Sequence, residues 1–499
     1  MTPLPPVMSS RIANLLEQKI LLFSLVAACG SPVFLVIPEE FEHNLSLFQQ
    51  VFQDVSVDGR VLFAYKVNKT QAFLATAARR QIGVDVSSLA ELRLALAHGI
   101  TGKDIGVSGP LKDPGLLLLA MQHRCTVVID ALDELTMLAS LHRGLSLEQP
   151  VDILIRLSGF EVTTQGRNEP APPGAENGRF GIAVSALPNL YTMLGDLEIG
   201  QSVSLRGFAF HIDNHSVRDR GEAIGILVDQ VLYARSLGHA CDQINIGGGF
   251  SVQYVRRDDW LRFLDSYAAA LSKHEKTVMF RDKSFGLVVR EGRRINRGNF
   301  YPYELDVHKD IFLRQLFDYR PQGAHESVSG LLRRYEIAMV IEPGKALVDQ
   351  SGITLGMVKG LKQSTHGDPL LLCEMNISHL FEQMIGSEFA VDPILLTNPC
   401  TGTDDPVDFS CHIAGNLCLE SDMVAWRRVP FCHIPRRGDL LAFVNTAGYQ
   451  MDFVETRMHQ MPLPHRIIMY QRDNNWQWKL DEQFSALDLL DRDVAGVDA

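Results

Sequence analysis

Several features are scarce in this chain of 499 residues, and each scarcity excludes a class of protein. Eight cysteines are too few for a disulfide-stabilised scaffold, and several lie within apolar runs, where reduced thiols are commonly buried. Basic residues are not in excess, because the formal net charge is -12, which argues against a nucleic-acid-binding surface. Low-complexity tracts and internal repeats are lacking. The composition therefore predicts a globular, cytoplasmic protein that acts on small molecules.

Long apolar runs are also scarce. The run KILLFSLVAACG at 19–30 resembles part of a signal peptide, but it is far shorter than the roughly 20 residues that span a bilayer. Ile12, Leu15 and Leu16 precede it at helical spacing, and Glu17 is an acid where a signal peptide would lack one. We therefore predict a helix that ends near Gly30, followed by the strand PVFLVI.

Eight apolar runs of strand length alternate with helical patterns through the first two thirds of the chain. They are 61–67, 83–88, 104–109, 125–130, 151–157, 203–212, 243–248 and 338–344. Strands alternating with helices predict a parallel sheet, and eight such units predict a closed (β/α)8 barrel of the TIM type. After Gly344, short apolar runs between Gly, Pro and Asp clusters predict a mostly β domain.

These patterns predict three regions. An N-terminal helix and strand at 1–38 are expected to pack with the β domain. The barrel is expected at 39–345, with an insertion around 251–336, and the β domain at 346–499. The insertion is basic and aromatic in part, which leaves open a lid, an interface element or a segment without catalytic role.

Polar or glycine residues follow nearly every predicted strand, where a barrel gathers its active-site loops. Lys66 ends one strand, and a desolvated lysine can form a Schiff base, although a solvated lysine is the commoner explanation. The run NIGGGF brings backbone amides close to an anion, although tight turns also use glycine. Glu342 is a carboxylate that needs a cationic partner, such as a protonated pyridine nitrogen. Together these groups describe a pyridoxal phosphate site.

With these residues the chain resembles the fold-type III pyridoxal-phosphate enzymes, specifically the decarboxylases of diaminopimelate, ornithine and arginine, which share the alanine racemase-like barrel. The resemblance covers nearly the whole length. FAYKVNKT resembles the cofactor-lysine strand, which implies that Lys66 forms the Schiff base. Arg156 in IRLSG matches the arginine near the imine, and His211 in FAFHI matches the histidine that stacks on the ring. Glu342 in EPGK matches the carboxylate at the pyridine nitrogen.

The resemblance also implies supporting and phosphate-binding residues. VDVSSLAEL is similar to the second-strand motif, which supports the cofactor through Asp85, Ser88 and Glu91. The implied phosphate contacts are Gly247, Gly248, Gly249 and Tyr449.

Three positions depart from the family pattern. Asp213 and Asn214 replace the usual Gly-Ser, so Asn214 is the substitute phosphate contact. Lys345 replaces an arginine that contacts phosphate, keeping the charge but not the fork geometry. Leu419 replaces the acid that recognises the distal group of the substrate in the family. Glu420 or Asp422 could substitute for that acid. The implied substrate is therefore an amino acid with a polar or charged side chain that the sequence does not identify.

Cys418 in GNLCLESD matches the family thiol that reaches the partner subunit's site and protonates the substrate carbon. The resemblance thus implies a homodimer with shared sites and a decarboxylase that uses Lys66, His211, Glu342 and Cys418. Racemisation or epimerisation on the same cofactor stays open, as does a non-catalytic cofactor-binding protein. A metal site is disfavoured because the spacings fit no common zinc pattern. Its ligands would be Cys411, His412, Cys418, Cys432 and His433.

Overall fold

The computed structural model describes residues 2–160, 178–212, 214–272, 279–290, 293–295, 298–301, 303–400 and 405–483. The chain divides into two compact units. One contains Glu42–Ser251 and Val307–Leu347, and the other combines Met1–Phe41, Val252–Asp306 and Val348–Phe484. We call them the barrel unit and the β unit.

The barrel unit is built on eight parallel strands that close on themselves. They are Gly59–Ala64, Gly83–Val86, Ile105–Val107, Thr126–Ile129, Val151–Ser158, Val203–Ala209, Gln243–Asn245 and Ala338–Ile341. The ring closes because Ala338–Ile341 pairs with both Gly59–Ala64 and Gln243–Asn245. The predicted barrel and all eight of its strands are therefore confirmed.

One helix precedes the first barrel strand and the others connect the strands, and capping side chains begin several of them. They are Pro38–Val55, Gln71–Arg79, Leu89–Ala97, Pro114–Gln122, Asp133–Leu145, Leu187–Leu194, Leu197–Ser202, Val217–Ser236, Lys309–Asp318 and Val328–Arg334. Asp113 accepts a hydrogen bond from the Leu116 amide at 2.9 Å, and Pro114 occupies the first helical turn. Inside the ring, Val128, Leu154 and Ala209 are buried together.

The β unit is built on a sheet that the N-terminal strand Val33–Val36 joins. This strand pairs antiparallel with Gly352–Gln363 and parallel with His465–Arg472. The other strands of the sheet are Pro369–Glu374, Ile394–Leu396, Phe409–Ala414, Met423–Phe431, Leu440–Val444 and Asn475–Leu480.

Two N-terminal helices, Ser10–Glu17 and Lys19–Cys29, cover this sheet. Their apolar residues Leu15 and Leu22 are buried in one core with Leu355 of the sheet. Among the described residues, no single helix is long and apolar enough to cross a membrane. These two helices together meet that test by length and composition, with a bend of 73° between them.

The unit boundaries differ from the predicted ones in the interval 251–336. Residues Val252–Asp306 group with the β unit, where helix Arg257–Ser272 lies and strand Phe300–Tyr301 pairs with Glu388–Phe389. Aromatic contacts explain this grouping, since the Phe300 ring lies 5.6 Å from Trp260 and 5.5 Å from Phe285. The rest of the interval returns to the barrel unit and supplies its last two helices.

Candidate active site

The candidate site is at the carboxyl ends of the barrel strands, which meet at one rim because the strands are parallel. Lys66 lies in the single turn Tyr65–Val67 that follows the first barrel strand. Tyr65 and Val67 are buried, whereas the Lys66 side chain is exposed. The Tyr65 hydroxyl donates to the Lys69 carbonyl at 2.7 Å. The backbone around Lys66 is therefore held between two buried residues.

Glu342 follows the last barrel strand, and the buried amide of Asn245 holds its carboxylate. Asn245 Nδ2 donates to Glu342 Oε1 at 2.6 Å, and Asn245 Oδ1 accepts from the Gly247 amide at 2.9 Å. The Glu342 amide also donates to the Gly247 carbonyl at 2.9 Å. One side chain thus connects the carboxylate to the glycine loop.

The glycine loop is packed too closely for any side chain. A Cβ on Gly247 would lie 2.7 Å from His211 Nδ1, and one on Gly248 would lie 2.5 Å from the Glu342 carbonyl oxygen. Gly247 and Gly249 also have φ of 65° and 74°, in the left-handed region that favours glycine. Glycine is therefore required here by both space and backbone conformation.

His211 is neutral and held by this loop. Its Nδ1 accepts a hydrogen bond from the Gly248 amide at 3.2 Å. Burial, with smaller effects from Lys66, Arg156 and Arg220, lowers the pKa of His211 to about 3. At neutral pH the imidazole therefore presents an uncharged ring whose Nδ1 carries no proton.

Asp85, in strand Gly83–Val86, is a buried carboxylate beside this cluster. Burial and the charge of Glu342 raise the pKa of Asp85 well above its usual range, and Lys66 opposes them. Within the described part of the chain, Asp85 Oδ1 has no hydrogen-bond partner. An unsatisfied buried acceptor is costly, so it points to a group that is missing from the protein alone.

Ser88 and Glu91 have a local structural role. Ser88 Oγ accepts from the Glu91 amide at 3.2 Å, and Glu91 Oε2 accepts from the Ser87 amide at 2.7 Å. These bonds begin the helix Leu89–Ala97. Burial raises the pKa of Glu91, while the Ser87 amide and then Lys66 lower it, so Glu91 faces the Lys66 charge.

Asn214 also has a local role. Its Oδ1 accepts from the Ser216 amide at 3.0 Å, and its Nδ2 donates to Asp219 Oδ2 at 2.8 Å. Both bonds order the start of the helix Val217–Ser236. The neighbouring Asp213 lies outside the described residues.

Arg156 belongs to a chain of charged contacts along the rim. Its Nη1 lies 3.3 Å from Asp130 Oδ1. The Asp130 amide donates to Glu134 Oε2 at 2.8 Å, and the buried Lys112 ammonium pairs with Glu134 Oε1 at 2.9 Å. Lys112 also donates to the Gly109 carbonyl at 2.8 Å, so a buried ion pair supports the loop that orients Arg156.

Within the β unit, Cys418 is an exposed thiol on a loop that Asp422 organises. Asp422 is buried, and its two oxygens accept from the Ile377 amide at 2.8 Å and the Leu417 amide at 2.7 Å. Glu420 is exposed and forms an ion pair with Arg281. Of the two acids that could replace the one expected at Leu419, only Glu420 has its carboxylate on the surface.

Two other predicted phosphate contacts lie in different units. Lys345 is half-buried in the barrel unit, three residues after Glu342. Tyr449 belongs to the β unit, where its φ is 70° and its ring lies 6.0 Å from the Phe453 ring. Among the residues that the structure describes, no group of three or more His, Cys, Asp or Glu side chains could hold a metal ion.

Sequence reasoning missed Asn245, Arg220 and the pair Lys112–Glu134. Asn245 gave a signal, because a polar residue interrupted the apolar run QINIGG just before the glycines. Arg220 gave none, since an arginine in the first turn of a helix is usually solvated. In the structure it is buried against the glycine loop.

The chain is similar to several known proteins. A family model described as the pyridoxal-binding domain of pyridoxal-dependent decarboxylases matches residues 39–296. The chain is 29% identical over 472 residues to the uncharacterized protein y4yA of Sinorhizobium fredii, covering 94% of each. It is 24% identical over 405 residues to a diaminopimelate decarboxylase of Actinosynnema pretiosum, covering 80% of this chain and 76% of that one.

Solved structures show the same fold. The diaminopimelate decarboxylase of Helicobacter pylori, complexed with L-lysine, matches with a TM-score of 0.65 at 16% identity, over 95% of this chain and 99% of that one. The barrel and its rim thus define a pyridoxal-phosphate enzyme of the alanine racemase-like class. The chain belongs to the pyridoxal-dependent decarboxylase family, as the resemblance implied, and is an amino-acid decarboxylase with pyridoxal 5'-phosphate as its cofactor.

Proposed function

We propose that the enzyme decarboxylates an amino acid with a polar or charged side chain, with its cofactor on Lys66. The observation that carries this proposal is the buried carboxyl group of Asp85 beside Glu342 and Lys66, whose Oδ1 has no hydrogen-bond partner among the described residues. Two acids and a lysine at one rim suit a cofactor with a cationic ring nitrogen and an aldehyde.

The residues present fit this cofactor. Glu342, held by Asn245, would bind the pyridine nitrogen, and the neutral His211 ring would lie against the pyridine face. The Gly249 and Phe250 amides donate no hydrogen bond within the described residues, so they are available to the phosphate. The half-buried Lys345 adds positive charge, and on the resemblance Tyr449 adds a hydroxyl.

Pyridoxal phosphate, when bound, supplies an electron sink for the pair left behind by departing carbon dioxide. Glu342 keeps the ring nitrogen protonated, which strengthens that sink. Arg156, oriented by Asp130, keeps positive charge near the reacting end of Lys66. Cys418 of a second copy would give its thiol proton to the carbon that has lost carbon dioxide, and would regain a proton from water.

For substrate recognition, we propose Glu420 with its partner Arg281. Asp422 is less suited than the sequence alone implied, because both its oxygens already accept loop amides. Glu420 and Arg281 are exposed, with side chains 83% and 56% accessible, so they can pair with a charged distal group. The exposed Leu419 between Cys418 and Glu420 cannot do so.

The first experiment locates the cofactor and the reaction. Borohydride reduction of the purified enzyme followed by peptide mass analysis should place a pyridoxyl group on Lys66, and Lys66→Ala should lack it. A panel of amino acids with distal amines or carboxylates should then release carbon dioxide from one member. Incorporation of solvent deuterium without loss of mass would contradict decarboxylation and support racemisation.

The second experiment tests the shared site. Lys66→Ala and Cys418→Ala should each be inactive, and mixing them should form hybrid dimers with one intact site. Because a two-fold dimer places both substitutions in the other site, an equal mixture should recover about a quarter of the wild-type activity. No recovery under conditions that exchange subunits would contradict a proton donor from the partner.

We also propose a reducing, cytoplasmic location. All eight cysteines are free thiols, and Cys125, Cys241, Cys373 and Cys411 are buried. Fractionation of the source cells tests this, and recovery outside the cytosol would contradict it.

A further inference from the structure

Among the described residues of the barrel unit, Arg220 is the largest charged side chain that is fully buried, with an exposure of 0%. Its guanidinium donates to four main-chain carbonyls. Nη1 bonds the Gly248 oxygen at 2.8 Å, and Nη2 bonds the oxygens of Ile212 at 2.6 Å, Gly249 at 3.0 Å and Asn214 at 3.4 Å. One side chain therefore connects the glycine loop to the loop that follows His211.

These bonds fix the direction of the loop amides. In a trans peptide the carbonyl and the following N–H point in opposite directions. Because the Gly248 and Gly249 carbonyls face Arg220, the amides of Gly249 and Phe250 face away from it. Those two amides are the loop donors that no other described group uses, whereas the Gly247 and Gly248 amides bind Asn245 and His211.

Rings of two phenylalanines hold the guanidinium in place. Arg220 Cζ lies 5.2 Å from the Phe312 ring centroid and 5.5 Å from the Phe250 ring centroid. The two rings and the four carbonyls together hold the guanidinium against the glycine loop.

We propose that Arg220 is a positioning residue for the phosphate of the cofactor: by holding the Gly248 and Gly249 carbonyls, it turns the Gly249 and Phe250 amides toward the phosphate. This inference rests on the proposed placement of the cofactor at the glycine loop. In the family pattern, the Gly-Ser pair and the arginine replaced by Lys345 contact the phosphate. Arg220 would compensate in part for their replacement by orienting the loop amides.

The same helix, Val217–Ser236, offers a matched control in Arg235. Arg235 also donates to main-chain carbonyls, to Cys241 at 2.6 Å and Tyr335 at 2.7 Å. These residues precede strands Gln243–Asn245 and Ala338–Ile341, at the opposite end of the barrel. Arg235→Lys therefore removes a comparable clamp far from the candidate site.

The experiment compares two ligands that differ only in the phosphate. The full-length chain is freed of cofactor, and dissociation constants are measured by fluorescence for pyridoxal 5'-phosphate and for pyridoxal. Arg220→Lys should weaken the phosphate ligand at least about tenfold, the value of one charge-assisted hydrogen bond, and leave pyridoxal within about twofold. Arg235→Lys should lower the melting temperature but leave the ratio of the two constants unchanged.

The outcomes separate the two hypotheses. Equal weakening of both ligands by Arg220→Lys, or weakening of neither, would overturn the role of Arg220. A wild-type chain that binds pyridoxal as tightly as its phosphate would instead overturn the placement of the phosphate at this loop. If Arg220→Lys yields no folded protein, Phe312→Leu removes a ring that holds the guanidinium. It should raise the dissociation constant for pyridoxal 5'-phosphate relative to the constant for pyridoxal. Inorganic phosphate should raise the melting temperature of the wild-type chain more than that of Arg220→Lys or Phe312→Leu.

Discussion

The amide of Asn245 donates to the carboxylate of Glu342 at 2.6 Å, and its oxygen accepts from the Gly247 amide at 2.9 Å. Asn245 thereby fixes the spacing between the carboxylate that we propose for the ring nitrogen and the loop that we propose for the phosphate. A rigid cofactor needs both groups at a set separation. Asn245 therefore couples the Glu342 contact to the glycine-loop contact, although the two lie in separate sequence motifs.

Asn245→Leu should lower kcat by about 10- to 100-fold, because small misplacements of a reacting group have effects of that size. Binding of pyridoxal phosphate should weaken less, since the free loop amides remain. Steady-state kinetics and a cofactor titration check this. Gln243→Leu, at the start of the same strand, is the matched control and should leave kcat within about twofold because it lies away from the rim. A full kcat in Asn245→Leu would contradict the coupling.

Lys112→Met should destabilise the chain by about 3–5 kcal/mol, because it leaves the buried Glu134 carboxylate without its cation. Adding Glu134→Gln should restore much of the loss, since glutamine is neutral and still accepts from the Asp130 amide. Urea unfolding of both variants measures the difference. A double variant no more stable than Lys112→Met would show that the pair is not the source of the loss.

The barrel could be predicted because each strand carries its own signal, an apolar run that ends in a polar residue or glycine. The positions of Lys66, His211 and Glu342 on one rim follow from the parallel order of the strands alone. Their supporting residues could not be predicted in this way. Arg220 lies near the start of a helix and Lys112 in the loop before one, and both positions by themselves predict a solvated cation. Only the folded chain brings the Gly248 carbonyl to Arg220 and the Glu134 carboxylate to Lys112.

The interval 251–336 shows a second limit. Its aromatic residues were visible, but which unit they join depends on pairing between Phe300–Tyr301 and Glu388–Phe389, separated by nearly 90 residues. The predicted roles of Asp422 and Asn214 meet the same limit. Each is a polar residue beside a family motif, and in the structure its side chain satisfies neighbouring backbone amides.

His379→Gln should reduce the dependence of stability on pH. Burial lowers the pKa of His379 to about 4, and its Nδ1 accepts from the Asn376 amide at 3.0 Å. Between about pH 6.5 and 4 the unfolded chain therefore binds a proton that the folded chain does not. As the pH falls through this range, the group lowers the free energy of unfolding by up to about 1.4 kcal/mol per pH unit.

The variant should lose this part of the slope. Free energies of unfolding between pH 7 and 4 measure it, with His366→Gln at an exposed position as the control. A slope identical to that of the wild-type chain would exclude His379 as a source of acid sensitivity.

Asp85→Asn should stabilise the cofactor-free chain while it weakens the holoenzyme. The folded state raises the pKa of Asp85, so the folded chain holds a proton that the unfolded chain loses above about pH 4, and wild-type stability falls as pH rises through that window. Asparagine has no proton to lose in this range, so it removes this penalty, and we expect a higher free energy of unfolding than that of the wild-type chain at pH 7. The gain should shrink toward pH 4. Urea unfolding of the cofactor-free chain and kcat of the loaded enzyme check both halves, and a variant that is less stable at every pH would show that Asp85 is satisfied within the protein alone.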